Sequence, residues 1–497
     1  MKTQTLKKRR LISLMTLILV LMSTIITGCS DKTPETQVFA GNDEITAADA
    51  ADTPEEETTK YYAADIPEGT DYGGYEFRIL VNEVSRFVWG DVDVIAAEQN
   101  GEAINDAVYA RNRFVEETLN VVIKPTESAS VSGDLDKTVM AGEDAYDLAF
   151  AHTHGAFDLA QKELIMQLPD ITALDLSSEW WDQNSLSDLS VNNKQFMMTG
   201  DIGTMYKKSI GIIMFHKGIL ADYNLDDPYV MMNNKEWTID VMAEMGKMVS
   251  NDLNGDGKYD ENDMYGLLYF CDMMGISLIG SGVKFVTKGA DDIPALTFYD
   301  EKTQSVVEKL STLLYNPQLS YSWSKVGKDE KTTFAMYQNN QSLFYYGELH
   351  SVATMRSMDA DFGILPIPLY DSNQESYYHC VNPHVAPMVV IPKTIGDLDR
   401  TGYILDVMGA ASKNFLTPAY YDITLKGKVT RDEQSSDTLD IVLNTIKYDL
   451  GYLSNWGLSN ICNDLANQYD LDLASRFAKS EASITTKMTT MIEKYAD

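Results

Sequence analysis

Apolar and polar residues alternate from Tyr75: Tyr75, Phe77 and Ile79 interleave with Glu76 and Arg78, and Leu80 and Val81 continue the run. A period of two predicts a half-buried strand. Ile104, Ala107, Val108, Phe114, Val115 and Leu119 then recur at helical spacing, ahead of a second strand over Val121–Ile123. A third strand is predicted at Asp147–Ala151 and a helix near Phe157–Glu163. This βαβαβ opening has no glycine fingerprint after its first strand, so nucleotide binding is not predicted. Further strands are expected at Gln195–Thr199, Ile210–Phe215, Gly266–Phe270, Leu343–Tyr346, Phe362–Leu365 and Pro387–Ile391. The last hundred residues read as mostly helical, ending with Ile484–Tyr495, and no internal repeat is present. Strands alternating with helices predict an α/β body.

The pattern ahead of Tyr75 is different. Lys7, Lys8, Arg9 and Arg10 form a basic start, and the apolar run from Leu11 to Ile26 follows. At about sixteen residues that run is short of the roughly 20 needed to cross a bilayer, and it reads as a secretory signal. It ends in Ile26-Thr27-Gly28-Cys29, which matches a lipobox; Cys29 is therefore expected to become the lipidated first residue of the mature chain. From Ser30 to about Thr70 the sequence is rich in Asp, Glu, Thr and Ala, including Pro54-Glu55-Glu56-Glu57-Thr58-Thr59. Such a stretch cannot bury a core and is expected to act as a disordered acidic tether. The expected location is the extracellular face of the cytoplasmic membrane, reached through lipid alone.

Charge narrows the partners. The chain holds 40 basic and 74 acidic residues. Removing the signal with its five basic residues leaves 35 basic residues and a net charge of −39. That surface repels nucleic acid and anionic lipid and suits a neutral or cationic partner. About 430 residues beyond the tether predict two lobes, not one core. Cys271, Cys380 and Cys462 show no metal-type spacing and read as buried thiols.

Several short motifs, in order, carry a resemblance. They are Tyr146-Asp147-Leu148, Leu159-Ala160-Gln161-Lys162-Glu163-Leu164 with Leu168, and Trp180-Trp181-Asp182-Gln183-Asn184. Thr199-Gly200-Asp201, Trp237-Thr238 and Phe362-Gly363-Ile364-Leu365-Pro366-Ile367-Pro368 continue the series, then Tyr420-Tyr421-Asp422 and Asp449-Leu450-Gly451-Tyr452 before Trp456. Together they resemble the extracellular solute-binding proteins (family one) that serve ABC-type sugar importers. The resemblance implies a two-lobed periplasmic-binding-protein-like (type II) clamp with crossover hinge strands and a helical C-terminal region. Lobe one would take 71–205 and 383–430, and lobe two 206–382 and 431–497. Its implied partners are a carbohydrate ligand and ABC permease subunits, with the receptor itself a monomer.

Sugars call for aromatic faces and hydrogen-bonding side chains at strand ends that face the cleft. Trp89, His154, Asp201 and Tyr206 are the candidates from lobe one and the first crossover. Tyr346, Glu348 and Trp456 are those from lobe two, whereas Trp180, Trp181 and Trp237 read as packing residues. A separate motif, Asp252-Leu253-Asn254-Gly255-Asp256-Gly257-Lys258-Tyr259-Asp260-Glu261-Asn262-Asp263, follows the EF-hand loop at every position but the last. Side chains of Asp252, Asn254, Asp256 and Asp260 and the Lys258 carbonyl would supply oxygens to a structural Ca²⁺, with Asp263 or Glu261 closing the loop. No zinc, nucleophile-elbow or phosphate-loop signature is present, and His152-Thr153-His154 lacks a third ligand. A binding protein is thus expected, not an enzyme. A surface-tethered glycoside hydrolase and a receptor for peptides or other polar solutes are the alternatives.

Overall fold

Two sheets organise the body of the protein in the computed structural model, which describes residues 60–83, 93–355, 357–421, 432–469 and 472–496. Cys29, the signal, residues 30–59 of the tether and Trp89 lie outside the described residues. Residues 60–70, expected to belong to the disordered tether, are instead ordered, because Tyr62, Ala64 and Ile66 find apolar partners in the core of the first sheet. In the first sheet β1 (Tyr75–Asn82) pairs in parallel with both β2 (Val121–Ser128) and β3 (Leu148–His152). β11 (Pro387–Val390) runs antiparallel on the outer side of β3, giving the order β11-β3-β1-β2. Parallel neighbours need helical crossovers. Here Ala103–Leu119 carries the chain from β1 to β2, and Val131–Met140 from β2 to β3. Asn120 adopts a left-handed conformation (φ 50°), so the first of these helices passes directly into β2.

The second sheet contains β4 (Gly211–His216), β5 (Tyr265–Tyr269), β8 (Ser320–Ser322), β9 (Ser342–Glu348) and β10 (Phe362–Leu365), in the order β10-β4-β9-β5-β8. β4, β5 and β9 are buried along their whole length, which is why they read as apolar runs without alternation. A small hairpin joins β6 (Val286–Lys288) to β7 (Pro294–Leu296). Helix Leu398–Pro418 packs on Ala103–Leu119 in lobe one, with Phe415 and Phe114 rings 5.9 Å apart. The last helices, Glu433–Asn444, Leu458–Gln468 and Leu473–Lys494, bury their apolar faces in the core of the second sheet.

This is the two-lobed α/β architecture expected, and the chain passes between its sheets side by side. Ile210 and Val381 form an antiparallel bridge, and the Asn382 amide donates to Ser209 O (3.1 Å). Just ahead of the first crossing, Arg111 is completely buried and donates to Asn112 Oδ1 (2.8 Å), Ile202 O (3.1 Å), Ser412 Oγ (2.8 Å) and Asp93 O. The Asp93 carboxylate caps the backbone amides of Thr204 (2.7 Å) and Met205 (3.0 Å). At the start of the described chain, Tyr62 and Asn414 exchange two hydrogen bonds (3.0 and 2.7 Å), and Lys60 pairs with Glu179.

Some expectations need correction. Gln195–Thr199 is not a strand: Met198 alone pairs with Val389, while Gln195 O accepts from the Leu168 amide and Ser185 Oγ takes the Thr199 amide. The backbone groups that would have extended a ladder are already bonded elsewhere. β8 and the β6–β7 hairpin, three residues per strand, were not anticipated. Trp237 is wholly buried with its indole N–H on Pro366 O (2.9 Å). Trp180 and Trp181 both donate to Asp406 Oδ1 (3.2 and 3.1 Å). Cys271, Cys380 and Cys462 are free, buried thiols, and burial pushes Cys271 up to about 12.

Candidate ligand-binding site

Ligands of open α/β sheets sit beyond the carboxyl ends of the parallel strands. Those ends in both sheets meet at the crossovers. β3 runs out at His152, and Thr153 is fastened to Ala386 O through its amide (3.1 Å) and hydroxyl (2.9 Å). β9 runs out at Glu348, and β5 leads through Phe270 to Asp272. Asn382, on the second crossover, joins them: its Nδ2 donates to Glu348 Oε1 (2.7 Å) and Asp272 Oδ2 (3.3 Å). Its Oδ1 accepts from the His384 amide (2.9 Å), and the His384 ring meets His154 edge-on at 4.9 Å.

Burial sets the charges in this cluster. Glu348 is pushed up to about 8 by loss of solvent, opposed by the Asn382 bond and reinforced by Asp272. Asp272 is also raised by burial, against the pull of His384, Asn463 and Asn382. Two carboxyls sharing one amide nitrogen do not both ionise readily. Glu348 therefore keeps its proton near neutrality. His154 and His350 are each lowered to about 4, chiefly by burial, so both imidazoles are neutral. His350 Nε2 lies 3.5 Å from Glu348 Oε2.

Around this cluster lie buried polar atoms without a hydrogen-bond partner among the described residues. Asp272 Oδ1 is one, and the oxygens of Ser459, Asn463 and Asn467 on helix Leu458–Gln468 are three more. Asn455 Oδ1 and the Trp456 indole nitrogen join them just ahead of that helix. The helix packs on Asp272–Gly280, and Asn463 reaches the Asp272 carboxyl. Each unsatisfied buried group costs roughly 1–3 kcal/mol, so such a concentration marks either strain or a place where another molecule completes the bonding.

The sequence candidates divide. Glu348 and His154 are brought together through Asn382 and His384. Tyr346 lies beneath them, fully buried, its hydroxyl unpartnered. Trp456 is only 1 % exposed, so its ring is embedded and its polar edge alone is short of a partner. Asp201 and Tyr206 are elsewhere, in a cavity of about 320 Å³ that shares no lining residue with the Glu348 cluster. There Asp201 binds Lys207 (2.9 Å), Lys413 (3.0 Å) and the Thr417 hydroxyl (2.9 Å). Burial alone would raise its pKa, but the two ammonium groups outweigh that and hold it below the ordinary value. Asp272, Asn382 and the polar row of the late helix were missed. The row was visible as Ser459, Asn463 and Asn467 at four-residue spacing on a helix otherwise apolar on that side.

The acidic loop forms a helix–loop–strand unit between Ile239–Val249, capped by Thr238, and β5. Asp252 accepts from the Gly255 (2.7 Å) and Gly257 (2.8 Å) amides, Asn254 from Asp256 (2.9 Å) and Asp256 from Lys258 (2.8 Å). Gly257 takes the positive φ of 79° that the turn demands. Asp260 accepts from the Asn262 amide, and the wholly buried Asp263 closes the loop on the Leu253 (3.0 Å) and Asp260 (2.9 Å) amides. Glu261 reaches instead toward the Tyr321 hydroxyl. Among the described residues no three His, Cys, Asp or Glu side chains are gathered as a metal would hold them. Nor is any helix there long and apolar enough to cross a membrane.

No protein-family model matches the sequence, and none of the curated proteins is similar enough to it to count as a match. Among solved structures, the ABC substrate-binding protein Lmo0181 from Listeria monocytogenes, in complex with cycloalternan, superposes with a TM-score of 0.55 at 11% identity. The match covers 84% of this chain and 99% of that one. It shows a shared fold. The maltose/maltodextrin-binding domain MalE from Bdellovibrio bacteriovorus, bound to maltotriose, gives a TM-score of 0.49 at 15% identity, over 85% of this chain and 100% of that one, a likeness too slight to argue from.

Proposed function

We propose that this protein is a lipid-anchored receptor that captures a carbohydrate, an oligosaccharide, between its lobes and hands it to an ABC importer. The observation that supports this reading best is the partly unsatisfied polar cluster where the strand ends of both sheets meet the crossovers. Sugar hydroxyls donate and accept, and buried carboxyl, amide and indole groups are the partners they need. The fold shared with the Listeria protein, which holds a cycloalternan, agrees with it. A ligand touching both lobes stabilises the closed clamp by its differential affinity for that state. No catalytic step is assigned. The test is a thermal-shift screen of the whole protein against neutral glycans, peptides and nucleotides, with the glycans recovered and sized afterwards. Neutral glycans should raise the melting temperature and emerge intact. A response to peptides alone would overturn the substrate class, and shortened glycans would make the protein a hydrolase.

The anchor belongs to the same reading. Cys29→Ser is expected to leave the protein unprocessed or shed into the medium; a mutant fully processed and still membrane-bound would sink the lipobox.

Calcium in the 252–263 loop is also proposed, on its donor chemistry: five carboxylates and an amide, all hard oxygens, with Asp263 turned inward. Ca²⁺ favours six to eight such ligands. Its role would be to hold the end of helix Ile239–Val249 to β5. At a hundredfold excess over its dissociation constant it would add about 2.7 kcal/mol. Wild type should melt higher in calcium than in chelator, and Asp256→Ala should melt alike in both. Equal wild-type melting, with no bound metal by elemental analysis, refutes the site.

A further inference from the structure

We propose that the ligand-free protein rests in a closed state, fastened by a clasp between its lobes. In it the Asn192-Asn193 turn of lobe one is gripped by Lys288 and Asp292 of the β6–β7 hairpin and by the carbonyl of Tyr495. Opening the clamp, not closing it, is then the step that costs free energy. The inference rests on the clamp reading above and is independent of the substrate class.

Val191 and Lys194 exchange two backbone hydrogen bonds (3.2 and 3.0 Å), and the residues between them, Asn192 and Asn193, have φ of 55° and 59°. Two successive left-handed residues make the tight turn favoured in hairpins, and asparagine is among the few side chains that tolerate it. Such a turn leaves the amides of its central residues pointing outward, a concavity suited to an anion. Asp292 of lobe two fills it. Its carbonyl accepts from the Asn192 amide (3.0 Å) and its carboxylate from the Asn193 amide (2.9 Å). Asp292 is itself left-handed (φ 58°) and lies in the loop between β6 and β7, so two turns interlock.

Lys288 secures the other side. Its ammonium donates to Ser187 O (2.6 Å), Ser190 O (2.9 Å) and Ser190 Oγ (3.0 Å) of lobe one and pairs with Asp292 Oδ1 (2.6 Å). Both charged side chains are less than a fifth exposed, so salt screens them weakly. Tyr495, at the end of helix Leu473–Lys494, adds a third hold: its carbonyl accepts from Asn192 Nδ2 (2.9 Å), and its ring lies 4.5 Å from Phe196 of lobe one. The same helix starts in lobe two, where Phe477 stacks on Tyr299 (5.0 Å), and so braces one lobe against the other. These contacts stand off from the crossovers. Beside the second crossover the Lys447 amide meets His379 O (2.8 Å), and two residues on Asp449 holds the Phe285 amide (2.8 Å). From Phe285 the strand runs three residues outward to Lys288, roughly 10 Å. At that radius a rotation of roughly 20° displaces a contact by about 3.5 Å, more than a hydrogen bond survives.

The experiment measures the distance between two spin labels in the whole, ligand-free protein, one on each lobe. Met140→Cys and Met248→Cys carry them, at exposed positions (72 % and 62 %), while the native thiols at Cys271, Cys380 and Cys462 are buried. The measurement is repeated with Asp292→Gly, which keeps the left-handed turn and removes the carboxylate, and with Asp292→Gly combined with Lys288→Ala. The labelled parent should give one narrow distance. The combined variant should shift the ratio of open to closed molecules at least about tenfold, as loss of one hydrogen bond to a charged group implies, and so reveal a second distance. Asp292→Gly alone should move the ratio the same way by less, and it decides the matter if the combined variant does not fold. A parent already divided between two distances, or variants that keep the parent's single distance, overturns the clasp. Either result leaves the carbohydrate reading standing, since the glycan screen tests that separately.

Discussion

Replacing Arg111 by methionine is expected to destabilise lobe one by about 3–5 kcal/mol, the range for removing one member of a buried charged network. The guanidinium is wholly buried, and its bonds gather four separate pieces of chain: its own helix, the Asp93–Val94 loop, the Ile202 turn and Ser412 of helix Leu398–Pro418. Methionine fills the space but leaves two carbonyls, a hydroxyl and an amide oxygen without a donor, and it removes the cation next to Asp93. Lysine does not substitute, since one ammonium cannot span the planar fork. The sheet of lobe one should therefore unfold at lower urea concentration than the other lobe. Asp93 also caps Thr204 and Met205 at the first crossover, so ligand affinity should fall with stability. An unchanged urea midpoint would show that the network is not structural.

Glu348→Gln is expected to stabilise the protein at neutral pH and to do nothing at pH 4. In the folded state Glu348 holds its proton up to about pH 8, whereas an unfolded glutamate loses it near 4.3. Below pH 4.3 both states are protonated and the folded protein loses nothing. As pH rises from there to about 8, the unfolded chain ionises freely and the native state does not, so stability declines throughout that window and levels off above it. At pH 7 the decline amounts to something on the order of 3 kcal/mol. Glutamine keeps the acceptor for Asn382 and offers a donor toward the neutral His350. Melting of both proteins between pH 4 and pH 8.5 measures the difference directly. A gap that is constant with pH would mean that Glu348 titrates normally.

Much of this architecture could be read from residue pattern, because buried parallel strands and amphipathic helices leave strong signals. β1, β4, β5, β9, β10 and β11 lie where apolar runs place them. β8 did not announce itself: Ser320-Tyr321-Ser322 is short, and the serines that flank its tyrosine read as loop. Gln195–Thr199 deceived in the other direction, since it pairs with β11 through one residue while the Leu168 and Asp182 amides and the Ser185 hydroxyl take its end groups. The site was legible only in part. Glu348 and His154 follow from the rule that ligands gather at strand ends, but what joins them, Asn382, belongs to a crossover whose position depends on the tertiary path. Trp456 illustrates the opposite error. A tryptophan in a late loop suggests a stacking platform, yet the chain around it folds so that the ring is enclosed.

The bonds between Tyr62 and Asn414, with Lys60 on Glu179, have a mechanical meaning. They fasten the entry of the folded body to lobe one alone, so any pull from upstream is loaded in shear across helix Leu398–Pro418 and its neighbour. Lobe two takes up such a load second-hand, through the crossovers and through a seam of side chains that includes Asn455 on Asp158 and Tyr448 on Asp182 (2.7 Å).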